Sequence, residues 1–308
     1  MYFPYFRGRQ YELLALKELA TKGLITSSVL PVVEPVKLIP ALSSSITAFD
    51  KAHLPMGLIL NPNVGDLADE AETINKLLCH ISDNPTVIPS LLLNESTEAV
   101  MQQLTVKGIS ENNILTVVDN ADYLEVYRNL FEEECPKFTL CPDGRKFRRE
   151  INRNRVLFEN RFNKRSRNVD YPEDELFSED YLDYEDDGYV GFGDYSIVGS
   201  EYIESGFAPY AVAIHIVYFD EGNSLRIRHF KSDSNEDISD VAGKFYEAVS
   251  KLHDWYATGQ ERQLTFGLQT LIDHYKSRTY PGLPTLKKLS IMHHLELMSR
   301  YLDGKLEE

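Results

Sequence analysis

The chain has 308 residues, longer than a usual single domain yet within the range of barrels built from alternating strands and helices. Hydrophobic residues make up 43% and charged residues 26%, which excludes a disordered or fibrous chain, and the net charge of -16 argues against a general nucleic-acid coat. The three cysteines, Cys79, Cys135 and Cys141, lack CxxC spacing and leave an odd thiol, the pattern of a reducing compartment without a disulfide framework.

The opening residues Met1 to Arg7 carry no charged leader with a long apolar core, and no stretch reaches the roughly 18 apolar residues a membrane span needs. The expectation is a cytoplasmic protein with no membrane partner.

Eight short apolar runs, most separated by helical patterns, follow one another: Tyr2–Phe6, Val29–Val36, Met56–Leu60, Thr86–Leu93, Ile114–Val118, Lys137–Leu140, Arg155–Phe158 and Tyr189–Val198. The first five start roughly 28 residues apart, the length of one strand, helix and their two loops. Amphipathic stretches at Gln10–Ala20, Glu70–His80, Glu98–Val106 and Ala121–Phe131 predict helices between them.

Alternation of this kind implies a parallel sheet covered by helices. An open doubly wound sheet also satisfies it, but the first turn, Arg7-Gly8-Arg9, lacks the glycine-rich phosphate loop of that fold. The eight strands predict an α/β fold, a (β/α)8 TIM-like barrel, taken as one domain over residues 1–308.

Beyond the eighth strand, Tyr210–Phe219 and Ser224–Phe230 predict a hairpin across Asp220 to Asn223, inside an insertion at residues 200–237. Helical runs at Ile238–Trp255, Leu264–Lys276 and Leu286–Leu302 then supply a closing helix and peripheral helices over residues 238–308. Between strands six and eight a basic block, 145–167, meets an acidic one, 170–187. Residues 161–188 are expected to form a charged loop, either plain solvated surface or a lid bearing Tyr171, Tyr181 and Tyr184.

Active sites of such barrels lie at the carboxyl ends of the strands. Here those ends carry Arg7, Glu34, Asn61, Asn94, Asp119, Asp143, Glu159 with Asn160, and Asp194. For Asn61, Asn94 and Asp119 the competing expectation is a helix cap. For Arg7 and Glu34 it is a structural ion pair between neighbouring strands.

Converging carboxylates suit a hard divalent ion such as Mg²⁺, held by Glu34, Glu159 and Asp194, with Asp119 completing the catalytic set. The same carboxylates also suit the acid and base of a glycosidase. Arg7, Asn61, Asn94, Arg161 and Arg165 are the candidates for holding a phosphate-bearing small molecule. Gly191-Phe192-Gly193 offers either a close backbone approach to a ligand or a packing requirement. His215 and His229 fall on facing hairpin strands, whereas HExxH, GxSxG and P-loop patterns are absent.

With MYFPYFRGRQYELLALKELA, LPVVEPV, FENRF and GFGDYSIVG in hand, the first 230 or so residues resemble the phage Beta-protein family and its bacterial relatives. The resemblance implies a barrel in a setting of phage–host conflict and a co-encoded partner protein, and it supplies no catalytic residues. Two functions are expected from different classes: a metal-assisted hydrolase or transferase acting on a phosphate-bearing small molecule or nucleotide, and a non-catalytic module that works with a dedicated partner. Direct nucleic-acid binding ranks third because of the acidity.

Overall fold

A computed structural model describes residues 1–68, 73–82, 84–203, 209–259 and 263–306. Contacts divide the chain into two compact units, one of residues 1–160 with 180–195 and one of 161–179 with 196–308.

The first unit is a (β/α)8 barrel. Strands β1 (Tyr5–Phe6), β2 (Val32–Val33), β3 (Met56–Ile59), β4 (Val87–Leu92), β5 (Leu115–Val117), β6 (Phe138–Cys141) and β7 (Arg155–Phe158) run parallel in chain order. Strand β8 (Asp174–Ser178) belongs to the second unit, and the eighth barrel strand is β9 (Gly191–Gly193), beside β7. Closure comes from a parallel bridge between Tyr2 and Phe192, reinforced by Phe3 N–H to Phe192 O and Tyr5 N–H to Asp194 O, both 2.8 Å.

Helices α1 (Gln10–Lys22), α2 (Pro40–Lys51), α3 (Thr73–Ser82), α4 (Thr97–Val106), α5 (Leu124–Leu130) and α6 (Arg145–Glu150) follow the first six strands in turn. The short α7 (Asp180–Asp183) precedes β9. Of the expected helix Glu70–His80, residues 70–72 lie outside the described residues, and α3 covers the remainder. Helix α2 escapes the hydrophobic pattern because three serines fill its middle. Its Ser45 hydroxyl folds back onto the Ala41 and Leu13 carbonyls and so sits inside the α1–α2 contact.

Phe3, Tyr5, Leu30, Val32, Ile59, Ile88, Leu92, Leu115, Val117, Leu140, Val156, Phe158 and Tyr195 fill the barrel interior. The lumen is a packed core, so a ligand site can only lie at its end. Since strand side chains alternate, this set fixes the inward parity of each strand. Gly191 and Gly193 share the inward parity, and a Cβ on Gly193 would stand 2.4 Å from the Phe3 carbonyl oxygen. The two glycines therefore serve packing, letting Phe3 fill the space where β9 meets the first strand.

In the second unit β10 (Ala213–Phe219) and β11 (Leu225–Lys231) form the expected hairpin, and β8 joins β11 to complete a three-stranded antiparallel sheet. Helix α8 (Val241–Thr258) packs on β10 and β11, α10 (Leu283–Leu302) packs on β10, and α9 (Phe266–Ser277) packs on both helices. The hairpin and helices that read in sequence as decoration make up most of this unit.

The charged segment 161–188 carries β8 and α7 instead of running as a bare loop. Its acidic strand is held by basic neighbours, with Arg226 Nε donating to Asp174 at 2.6 Å and Arg228 paired with Glu173. Tyr171, Tyr181 and Tyr184 are buried. Tyr181 and Tyr184 pack on Phe192, while Tyr171 lies against Phe162, so none of the three is displayed as a lid tyrosine would be.

Among the described residues no helix is long and apolar enough to cross a membrane.

Candidate functional site

Parity sorts the strand-end residues. Arg7 is in step with Phe3 and Tyr5, Glu34 with Leu30 and Val32, and Asp119 with Leu115 and Val117, so all three continue the inward rows into the barrel mouth. Asp194 is out of step with inward Tyr195, and Glu159 is out of step with inward Phe158.

Glu34 is fully buried and Arg7 is 14% exposed, and the two form an ion pair. Burying a carboxylate costs several kcal/mol unless its oxygens are satisfied, and here they are. Tyr5 Oη donates to Glu34 Oε2 at 2.6 Å, and the Asn63 backbone N–H donates to Oε1 at 2.8 Å. Gly8 follows Arg7 with φ +62°, a turn that holds the chain against the Glu34 carbonyl, where a Cβ would come within 3.1 Å.

The Arg7 guanidinium lies over the rings of Tyr5, at 5.4 Å, and Tyr195, at 5.8 Å. Beneath it Tyr5, Phe158 and Tyr195 pack against one another with centroids 4.9 to 5.6 Å apart. The mouth thus has a rigid aromatic floor with one arginine and one carboxylate fixed upon it.

Asp119 is exposed at the end of β5. The helix-cap alternative belongs to its neighbour: Asn120 accepts the Asp122 N–H at 3.0 Å, which leaves Asp119 to the mouth. On its mouth side the exposed Asp119 carboxyl is partly shielded from water, which raises it above its ordinary value, against opposing effects of its own backbone N–H and of Arg7. Burial likewise pushes the Tyr195 hydroxyl up to about 12, with Arg7 opposing and Asp119 adding to the rise. Arg7, Asp119, Tyr5 and Tyr195 are therefore one electrostatic group.

Asn61 and Asn94 are also in step with inward Ile59 and Leu92, but their side chains are taken up by the strand-end backbone. Asn61 pairs its side-chain amide with the backbone of β4, donating to Leu92 O at 2.7 Å and accepting from Leu92 N at 3.0 Å. Asn94 ties the next turn, accepting from Ser96 N at 2.9 Å and donating to Asn63 Oδ1 at 2.5 Å. These two asparagines shape the β3 and β4 ends.

Asp194 is 4% exposed and accepts the Tyr2 hydroxyl at 2.8 Å on the outward face of the barrel wall. Glu159 accepts the Asp143 backbone N–H at 2.9 Å, and Asp143 in turn accepts from Arg148 and Tyr189. Glu34, Glu159 and Asp194, the expected metal ligands, do not converge. Among the described residues no group of three or more His, Cys, Asp or Glu side chains is placed to hold a metal ion.

Arg161 and Arg165 belong to the second unit, where Arg165 pairs with Glu175 at 3.2 Å. In that unit His229 Nε2 lies 3.2 Å from Glu175 Oε1, and His215 Nδ1 lies 2.7 Å from His229 Nδ1. Phe162 and Tyr171 pack edge-on or stacked against the two imidazoles. Tyr5, Asn63 and Tyr195 of the mouth are not among the residues that strand ends single out. The inward parity of Tyr5 and Tyr195 is the signal the sequence offers, whereas nothing local marks the Asn63 N–H.

Fold and site together define a (β/α)8 barrel with an arginine–carboxylate–tyrosine cluster at the carboxyl ends of its strands. No protein-family model matches the sequence, and no curated protein matches it.

Proposed function

We propose that the chain is an enzyme of the acid–base kind, a hydrolase or transferase, acting on a small phosphate-bearing molecule or nucleotide in the barrel mouth. Asp119 is the proton-transfer group and Arg7 the cationic partner of the substrate's anionic group. Glu34 and Tyr5 are positioning residues that hold the Arg7 side chain in place. The observation that carries this reading is Asp119: a carboxylate open to the mouth, unused as a cap, and raised in pKa beside an immobilised arginine.

Where a divalent ion assists, it would come with the phosphate, since no preformed set of ligands is present among the described residues. The resemblance to the phage Beta-protein family supports a setting of phage–host conflict for the reaction.

A second reading, a binding module with a co-encoded partner protein, draws on β8. That strand is an edge of the three-stranded sheet and leaves Leu176 46% exposed, a ready template for a further strand.

Thermal unfolding in the presence of nucleotides, sugar phosphates and their unphosphorylated counterparts, each with and without Mg²⁺, tests the first reading, because a ligand of the folded state raises the melting point. The expected result is a shift produced by a phosphate compound and reduced in Arg7→Lys, which keeps the charge but loses the planar fork. No shift across the panel, or equal shifts in both proteins, contradicts it.

A further inference from the structure

The second unit contains a cavity of about 1310 Å³, larger than a drug-sized ligand requires, that the barrel-mouth chemistry does not use. It lies between the β10–β11 turn and the carboxyl ends of α8 and α10, and three features of its wall point to one kind of ligand.

The first is aromatic surface. Tyr218, Phe219, Trp255 and Tyr301 line the cavity. Phe219 stacks on Tyr301 at 4.7 Å, and Trp255 is fixed edge-on against Tyr218 at 5.1 Å, so these rings form a stiff wall. Ring faces carry negative electrostatic potential and attract cations.

The second is charge. Asp220 and Glu221 line the cavity from the hairpin turn, and no Lys or Arg is among its described lining residues. The nearby Arg300 is engaged by Glu296 and the Leu264 carbonyl, and Lys305 lies by Asp303. The one lining histidine, His293, has both ring nitrogens occupied, Nδ1 by Thr265 at 2.7 Å and Nε2 by the Val217 carbonyl at 2.6 Å. Burial holds it down at about 4, with the Val217 carbonyl opposing and Arg300 assisting, so it brings no positive charge at neutral pH.

The third is the backbone. Thr258 and Gly259 end the 18-residue α8, and Tyr301 and Gly304 lie at the end of the 20-residue α10, all of them on the cavity wall. Helix carboxyl ends carry partial negative charge and favour cations within about one turn. Neither rings, carboxylates nor helix ends alone would specify a ligand, but all three have the same sign.

We infer that this cavity is a binding site for a small organic cation, an ammonium or guanidinium group on a hydrophobic body. The site is separate from the proposed reaction and stands whether or not the barrel is catalytic.

Isothermal titration of the full chain with benzyltrimethylammonium and with agmatine, at constant ionic strength, tests the inference, with benzyl alcohol as the neutral shape control. Saturable binding of at least one cation is expected, and benzyl alcohol should bind at least about tenfold more weakly. Asp220→Asn keeps the oxygen that accepts the Gly222 and Ser224 N–H groups of the turn, so combined with Glu221→Gln it removes charge without removing the turn. The double variant should bind the cation about tenfold more weakly. Thr258→Arg, at an exposed position on the wall, should abolish binding, and it provides a second test if the double variant fails to fold. Absence of saturable cation binding, equal binding of benzyl alcohol, or an unchanged affinity in either folded variant overturns the proposal.

Discussion

His215 and His229 face each other across β10 and β11 with their Nδ1 atoms 2.7 Å apart, and His229 turns its other nitrogen to Glu175. Of the two close Nδ1 atoms one must donate and the other accept. If His229 gives its Nε2 proton to Glu175, its Nδ1 is the acceptor and His215 Nδ1 the donor, so a single tautomer chain crosses the sheet. Burial lowers both histidines. His229 and Lys287 lower His215 further, while Glu175 and Asp174 partly restore His229 against Lys231.

Because the native pair binds its proton more weakly than the unfolded chain does, the unfolded state takes up more protons below about pH 6.5, and stability falls as pH falls through that region. Urea denaturation at pH 7.5 and 5.5 should show a loss in the wild-type protein and a smaller loss in His215→Leu. At pH 7.5 that variant should itself be less stable by about 1–3 kcal/mol, because His229 loses its donor. An equal pH dependence in both proteins would count against the neutral pair.

Glu34→Gln should act mainly on stability. Both Glu34 oxygens accept hydrogen bonds, from Tyr5 and Arg7 on one side and the Asn63 N–H on the other. An amide NH₂ must oppose one of these donors, and Arg7 loses its countercharge. A loss of about 2–4 kcal/mol in denaturant unfolding is expected. A variant as stable as wild type would mean that Glu34 is not the clamp on Arg7.

Gly193→Ala should prevent proper closure of the barrel. The added methyl would stand 2.4 Å from the Phe3 carbonyl oxygen, which is backbone and cannot swing aside. Destabilisation of about 3 kcal/mol or more, or failure to fold, is the expected outcome, and calorimetry on the soluble fraction would measure it. A melting point within a degree or two of wild type would contradict this packing account.

Much of the barrel is legible in the sequence because each of its strands is a local apolar run and most of its helices show a local period. Strand β8 is not legible in that way. Asp-Glu-Leu-Phe-Ser is acidic, and it is a strand through its pairing with β11, some fifty residues later in the chain, where Arg226 meets Asp174 and Arg228 meets the preceding Glu173. The site is half legible for a related reason. Strand ends named the polar residues, but only the two-residue period, counted from inward Val32, Val117 and Tyr195, separates Glu34 and Asp119 in the mouth from Asp194 behind the wall. From its position after β9 alone, Asp194 reads as a ligand. Its Tyr2 partner lies 192 residues away in sequence, so no local pattern could announce it.

Asp194→Asn should accordingly leave ligand binding at the mouth unchanged, since its side chain serves Tyr2 on the outward face. Thermal-shift titration with any mouth ligand measures this. A loss of binding in a variant that keeps the wild-type melting point would return Asp194 to the site.

The most direct test of the proposed function is conversion of a ligand that the thermal screen identifies, followed by mass spectrometry in wild type and Asp119→Asn. Removing a proton-transfer group typically costs about 10²–10⁴-fold in rate while leaving binding in place. The account predicts product from wild type, at least about a hundredfold less from Asp119→Asn, and a similar ligand-induced shift in both. Equal conversion by the two proteins, or a ligand that both bind and neither converts, would contradict it.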